Sequence, residues 1–145
     1  MLRTTVITGL LSSALTSMGD DAPVYPVTTN LTGSTGAPIN LPDRVVLVVL
    51  TPGSNPVMEN IIERPGLQVR CRGRQNVYED AEDLMWKVDH FLMESAFPMT
   101  FRGVYFLPPE YTGGTPSALP IDDGGRTVFV GNYILQCEVR SAVDA

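Results

Sequence analysis

Lysine is almost absent from this chain. Lys87 is the only one, and ten basic residues stand against 16 acidic ones, for a net charge of −6. A chain so poor in cations lacks the broad basic surface by which proteins hold nucleic-acid phosphates. The remaining cations are arginines, whose planar fork suits bidentate pairing at interfaces. Charge of either sign is thin. Charged residues make up 18%, against about a quarter in ordinary soluble chains. A small chain with so little charge has surface to hide against partners.

Other absences narrow the chemistry. Two cysteines, Cys71 and Cys137, form neither a disulfide framework nor a metal motif. Each falls on the apolar face of a predicted strand, as a buried thiol would. A bridge between them would need neighbouring strands and an oxidising compartment. No G-x-S-x-G turn, P-loop or H-E-x-x-H is present, and no apolar run reaches the length of a membrane span. The single histidine, His90, falls inside a predicted helix one turn from Glu94, where a surface ion pair is the simplest role. Nucleophilic catalysis needs a base beside its nucleophile, and no such pair is spaced for it.

What the chain does have, 145 residues of which 43% are hydrophobic, fits one domain spanning 1–145 with a core burying roughly two-thirds of the unfolded surface. Residues 1–17 carry one arginine and an apolar middle, faintly like a signal peptide. However, Ile7, Leu10, Leu11, Ala14, Leu15 and Met18 recur at helical spacing opposite Thr4, Thr8, Ser12 and Thr16, which predicts an amphipathic helix with Gly19 as its C′ residue. Residues 19–42 form a long loop without periodicity. It contains Asn30-Leu31-Thr32, a glycosylation acceptor that matters only in a secreted protein.

Four strands are predicted. Residues 44–50, RVVLVVL, suit a strand buried on both faces. After a turn-rich connection, residues 67–74 alternate, with Leu67, Val69 and Cys71 on one face and Gln68, Arg70, Arg72 and Arg74 on the other. Residues 101–107 are short and aromatic. Residues 126–140 place Phe129, Tyr133, Leu135, Cys137 and Val139 on one face, with Gly131 permitting a bulge. A second long loop covers 108–125. Between the second and third strands a helix spans 76–96, capped by Asn76 and Glu79 and stopped by Pro98. Val77, Ala81, Leu84, Met85, Val88, Phe91 and Leu92 line one side of it, and Asp83 precedes Lys87 by one turn. The fold class is therefore α+β, a four-stranded, largely antiparallel sheet with two helices packed on it.

Two clusters could carry function. Glu79, Asp80, Glu82 and Asp83 are dense carboxylates, but successive helix positions splay them apart, and acid at a helix start has a simpler cause in the helix dipole. Asp122-Asp123-Gly124-Gly125 lacks the alternating ligands and closing Glu of a calcium loop. Arg64, Arg70, Arg72 and Arg74 form a stripe of like charge that opposing carboxylates would relieve. In a ring built head to tail, one subunit's arginines would meet the next subunit's acidic helix start. A solvated sheet face is the equal alternative. No cofactor or metal is expected.

The segment Glu63-Arg64-Pro65-Gly66-Leu67-Gln68-Val69-Arg70-Cys71-Arg72-Gly73-Arg74, followed by Tyr78-Glu79-Asp80-Ala81 opening a helix, resembles the tail terminator (minor capsid) family of long-tailed, siphovirus-type bacteriophages. Gly131-Asn132-Tyr133-Ile134-Leu135-Gln136-Cys137-Glu138-Val139-Arg140 resembles that family's last strand. The resemblance runs from Arg44 onward and, weakly, includes the first helix.

It implies a virion protein, made in the host cytoplasm, that closes as a hexameric ring on the head-proximal end of the tail tube. There it stops tube polymerisation and offers a joining surface to the head. Its implied partners are further copies of itself, the major tail tube protein, a head-completion or neck protein, and genomic DNA passing through the lumen without specific binding. No membrane and no catalysis are implied. Another neck component, such as a head-closure or connector protein, is the nearest alternative. A secreted surface-binding domain is a more distant one, resting on the signal-like start, Asn30 and a Cys71–Cys137 bridge.

Overall fold

The computed structural model describes residues 1–27, 42–57, 62–95, 97–121 and 124–139. The first helix, α1, spans Thr4–Ser17 and buries Val6, Ile7, Leu10, Leu11, Ala14 and Leu15. Its far side is hydroxylic. Thr16 and Ser17 donate to the carbonyls of Ser12 and Ser13 one turn earlier. The Gly19 N–H bonds Thr16 O and the Asp20 N–H bonds Leu15 O, the paired bonds of a Schellman ending, with Gly19 at φ 76° supplying the left-handed step.

Seven strands follow: β1 Val24–Pro26, β2 Val45–Val57, β3 Ile62–Arg72, β4 Met99–Phe101, β5 Val104–Tyr111, β6 Ser117–Ala118 and β7 Val128–Val139. They form one sheet in the order β1-β2-β3-β7-β5-β4, with β6 paired to β7 beyond the end of β5. β1 runs parallel to β2, and every other pairing is antiparallel. The expected four-stranded sheet is therefore corrected to a mixed sheet of seven strands. β1, β4 and β6 are three, three and two residues long, too short to show a period. The sheet curls into a half-barrel. β1 and β2 contact α1 at one end, and Arg102 from the far hairpin reaches Gly9 of the same helix.

Three boundaries differ from expectation. The turn-rich connection expected over 51–66 is strand over 51–57 and again from Ile62 onward. β2 and β3 stay paired there, with register shifts between Thr51, Ser54 and Val57, where Pro52 and Pro56 cannot donate to a ladder, and β3 holds its register with β7 as far as Glu63 and Cys137. The aromatic strand expected over 101–107 straddles a hairpin. Phe101 pairs Val104 across Arg102 (φ 48°) and Gly103 (φ 76°), the two positive angles of a tight two-residue turn. The loops expected over 19–42 and 108–125 are interrupted by β1, by the last four residues of β5 and by β6. Asn30, Thr32, Asp122, Asp123 and Arg140 lie outside the described residues.

The second helix, α2, spans Tyr78–His90 and continues as one π-turn over Phe91–Ser95. The expected Asn76 cap does not form. Asn76 adopts φ 61°, Val77 is the N-cap, and no side-chain cap bond is made. α2 buries Ala81, Leu84, Met85 and Val88 against Val69, Cys71, Phe129 and Tyr133 of β3 and β7. A Cβ on Gly73 would sit 2.6 Å from the Ala81 nitrogen, so this glycine sets how closely the helix start approaches the sheet. Gly131 makes no bulge in the pairing with β3. The Tyr133 ring lies over it instead, its hydroxyl 2.8 Å from where a Cβ would be.

Candidate functional site

The arginines of β3 (Arg64, Arg70 and Arg72) and Arg74, two residues beyond its end, go to different places. Arg64 Nη2 lies 3.1 Å from Glu110 Oε2 of β5. Arg70 Nε donates to Gln68 Oε1 at 3.0 Å, and Gln68 in turn donates to Asn132 Oδ1 of β7. Arg72 is buried at 7% exposure and donates to the backbone carbonyls of Asp43 and Pro42 at 3.0 and 2.6 Å. Arg74 bends back to Asp80, its N–H and Nε reaching Oδ2 at 2.8 and 3.2 Å. Arg70, half-buried, lies on the face of β3 opposite α2, in register with the buried Leu47 and the half-buried Val130.

The acidic helix start also divides. Glu79 and Glu82 are exposed, whereas Asp80 and Asp83 enter an ion network that the helix dipole alone does not account for. Its centre is Asp20, just beyond α1, with a side chain only 2% exposed. Asp20 accepts from both terminal nitrogens of Arg44, from Lys87 Nζ at 3.0 Å and from the Ala22 N–H. Arg44 Nε donates to Asp80 Oδ1 at 2.8 Å, and Lys87 also pairs Asp83 at 3.0 Å. Three carboxylates thus meet Arg44, Arg74 and Lys87.

The Arg44 hydrogen bond holds the Asp20 carboxyl well below the usual range, against the opposing pull of burial. Burial pushes Asp80 up, but the Arg74 N–H and the two guanidiniums outweigh it and leave it lowered. Hydrogen bonds to Asp20 and Asp83 raise Lys87. The network joins the end of α1, the start of β2 and one side of α2, so it is a structural clasp. Its trace in the sequence is faint. Asp20 sits in the expected loop, and Arg44 reads as the first letter of an apolar strand.

A second polar group lies at the other end of α2. Asp89 accepts from the hydroxyls of Tyr133 at 2.8 Å and Tyr111 at 2.9 Å. Burial, then Asp89, pushes Tyr111 up to about 12 and raises Tyr133 as well. Both phenols are hydrogen-bond donors here. The two thiols are equally inert. Cys71 and Cys137 are free and buried, and burial pushes Cys137 up to about 12. Although β3 and β7 are neighbours, Cys71 faces Phe129, eight residues from Cys137. That is roughly 27 Å along a strand, far beyond disulfide reach. Among the described residues no cluster of His, Cys, Asp or Glu could hold a metal, and no helix is long and apolar enough to cross a membrane.

The outward side of α2 is different in kind. Trp86 is 61% exposed, and its ring stacks on His90 with centroids 4.9 Å apart. His90 Nδ1 meets Glu94 at 2.7 Å, as its spacing predicted. Beside Trp86 a shallow groove is lined by Met85, Phe129 and Pro116 and rimmed by Glu82 and Asp89. The protein thus presents a carboxylate-edged aromatic ridge on the outward side of α2 and, on the opposite face of β3 and β7, the polar side chains of Gln68, Arg70 and Asn132. A family model described as bacteriophage tail terminator protein matches residues 40–139. The chain belongs to that family. The family is one of structural phage tail proteins and of no known enzyme class, so this tail terminator is a virion component. The match spans β2 to β7 and α2, hence the arginines of β3, the clasp apart from Asp20, and the ridge around Trp86. No curated protein matches the chain.

Proposed function

We propose that this tail terminator caps the head-proximal end of the tail tube as a ring, most simply a hexamer, and stops the tube from polymerising further. The family match over residues 40–139 carries the reading. The ring would seat on the last layer of tube protein and present no further copy of the polymerising surface. Its other side would be the joining surface for a head-completion or neck protein. The chain, made in the host cytoplasm, would assemble there with these partners and with copies of itself.

The net charge of −6 supports the reading. An acidic lumen repels DNA phosphates, so the genome would pass through without binding. The ion clasp fits too, because it rigidifies the subunit without leaving strong uncompensated charge.

The test is electron microscopy of particles assembled without this protein. Overlong tubes are expected. Tubes of normal length that fail to join heads would instead mark the chain as a head-closure component. Normal-length tails joined to heads would refute both readings.

A further inference from the structure

We infer that successive copies of this chain dock head to tail, the Trp86 ridge of α2 in one copy seating on the outer sheet face around Arg70 of the next. The inference rests on the ring reading above and names the two surfaces that would close it.

α2 packs on the inner face of β3 and β7. Gln68, Arg70 and Asn132 lie on the other face of those same strands, alternating with the buried Leu67, Val69, Gly131 and Tyr133. The ridge and the Arg70 surface therefore point in opposite directions from one subunit. Surfaces so placed cannot meet isologously. They can only repeat head to tail, which closes into a ring when the rotation between copies allows it.

Chemistry matches the two surfaces. The groove beside Trp86 has an apolar floor of Met85, Phe129 and Pro116, with the carboxylates of Glu82 and Asp89 at its rim. A guanidinium on an aliphatic stem suits that seat, since it can lie on the indole face while donating to a carboxylate. Arg70 offers that group. Among the described residues its guanidinium bonds only the neutral Gln68, which leaves four of its five N–H donors for another partner. Val130, half-buried, flanks it in register on β7, an apolar neighbour for the exposed indole. Tryptophan and arginine are also the residues on which association energy concentrates.

The test uses charge reversal. Arg70→Glu and Glu82→Arg should each weaken self-association in sedimentation velocity at least tenfold. Mixing the two variants should restore it, because an alternating ring pairs each altered surface with its complement. Arg70→Gln, which preserves hydrogen bonding to Gln68, guards against a folding defect and should weaken association in the same direction. In a double Arg70→Cys, Trp86→Cys variant, a short bismaleimide should give a ladder of oligomers that neither single variant gives. Cys71 and Cys137 are fully buried and stay silent.

Single variants that associate like the wild type, or a ladder that fails to form, would overturn the docking surfaces. The capping reading would still stand or fall on tail length. Cross-links within a single-cysteine variant would mean an isologous contact, which also overturns the inference.

Discussion

Replacing Asp20 by Asn isolates what the buried clasp contributes. The amide keeps the size of the carboxylate and can still accept from the Ala22 N–H, so only the charge is lost. Removing one partner of a buried ion pair costs about 3–5 kcal/mol when the other is left alone. Here Arg44 keeps Asp80 and Lys87 keeps Asp83, so the loss should be smaller, about 2–3 kcal/mol. In a domain of this size that lowers the melting temperature by about 5–10 °C.

The pH dependence gives a second handle. Asp20 is depressed in the folded state from its ordinary 3.8, so its stabilisation is complete above that value and is lost as the pH falls toward the folded value. Each unit below the ordinary value removes about 1.4 kcal/mol. The gap between wild type and Asp20→Asn should therefore narrow by about 1 kcal/mol between pH 7 and pH 3. Urea unfolding followed by circular dichroism at both pH values measures it. A variant within about 0.5 kcal/mol of wild type at pH 7, the scatter of ordinary surface substitutions, would refute the clasp as a stabilising element. A gap that does not narrow on acidification would refute its ionic nature.

Gly73→Ala should destabilise by about 1–3 kcal/mol, because the added carbon meets the Ala81 backbone and α2 must shift; chemical denaturation reads it. Tyr133→Phe removes one of two hydroxyls bonded to Asp89 and should cost about 1–2 kcal/mol. The same change in a Tyr111→Phe background should cost more, because Asp89 then keeps no tyrosine partner, and a double-mutant cycle would show the coupling. Both cysteines should resist a thiol reagent at pH 8 in the native state and react only on unfolding, since each is buried. Reaction of either within the native protein would contradict the packing of β3 and β7.

Long, regular elements are legible in the residue pattern, and short or compensated ones are not. The Ile7–Met18 stripe locates α1, and its Gly19 ending forms as expected. Alternation places Leu67, Val69 and Cys71 inward, and spacing pairs His90 with Glu94 and Asp83 with Lys87. Asn76 fails as a cap because the chain needs a left-handed step there, and its short polar side chain serves that need as well as it serves a cap. The sheet has more strands than the pattern shows because edge strands of two or three residues owe their order to neighbours distant in sequence. Asp20, Arg44 and Asp80 are brought together by tertiary packing alone. Trp86 interrupts the acidic face of α2, yet its exposure follows only once the helix has a defined inner side.

The prolines at the margins of the sheet have a consequence for solubility. Val46 donates to Pro23 O and Val27 donates to Val48 O, so the N–H groups facing away from β2 belong to residues 24 and 26, and Pro26 has none. At the opposite margin the hairpin directs Met99 and Phe101 toward β5, and Pro98 again supplies no donor, leaving Thr100. Within β1 and within β4 the proline thus leaves a single outward main-chain donor, too little for either short strand to template a growing stack. Concentrated free subunits should therefore resist fibrillar growth from these two short strands.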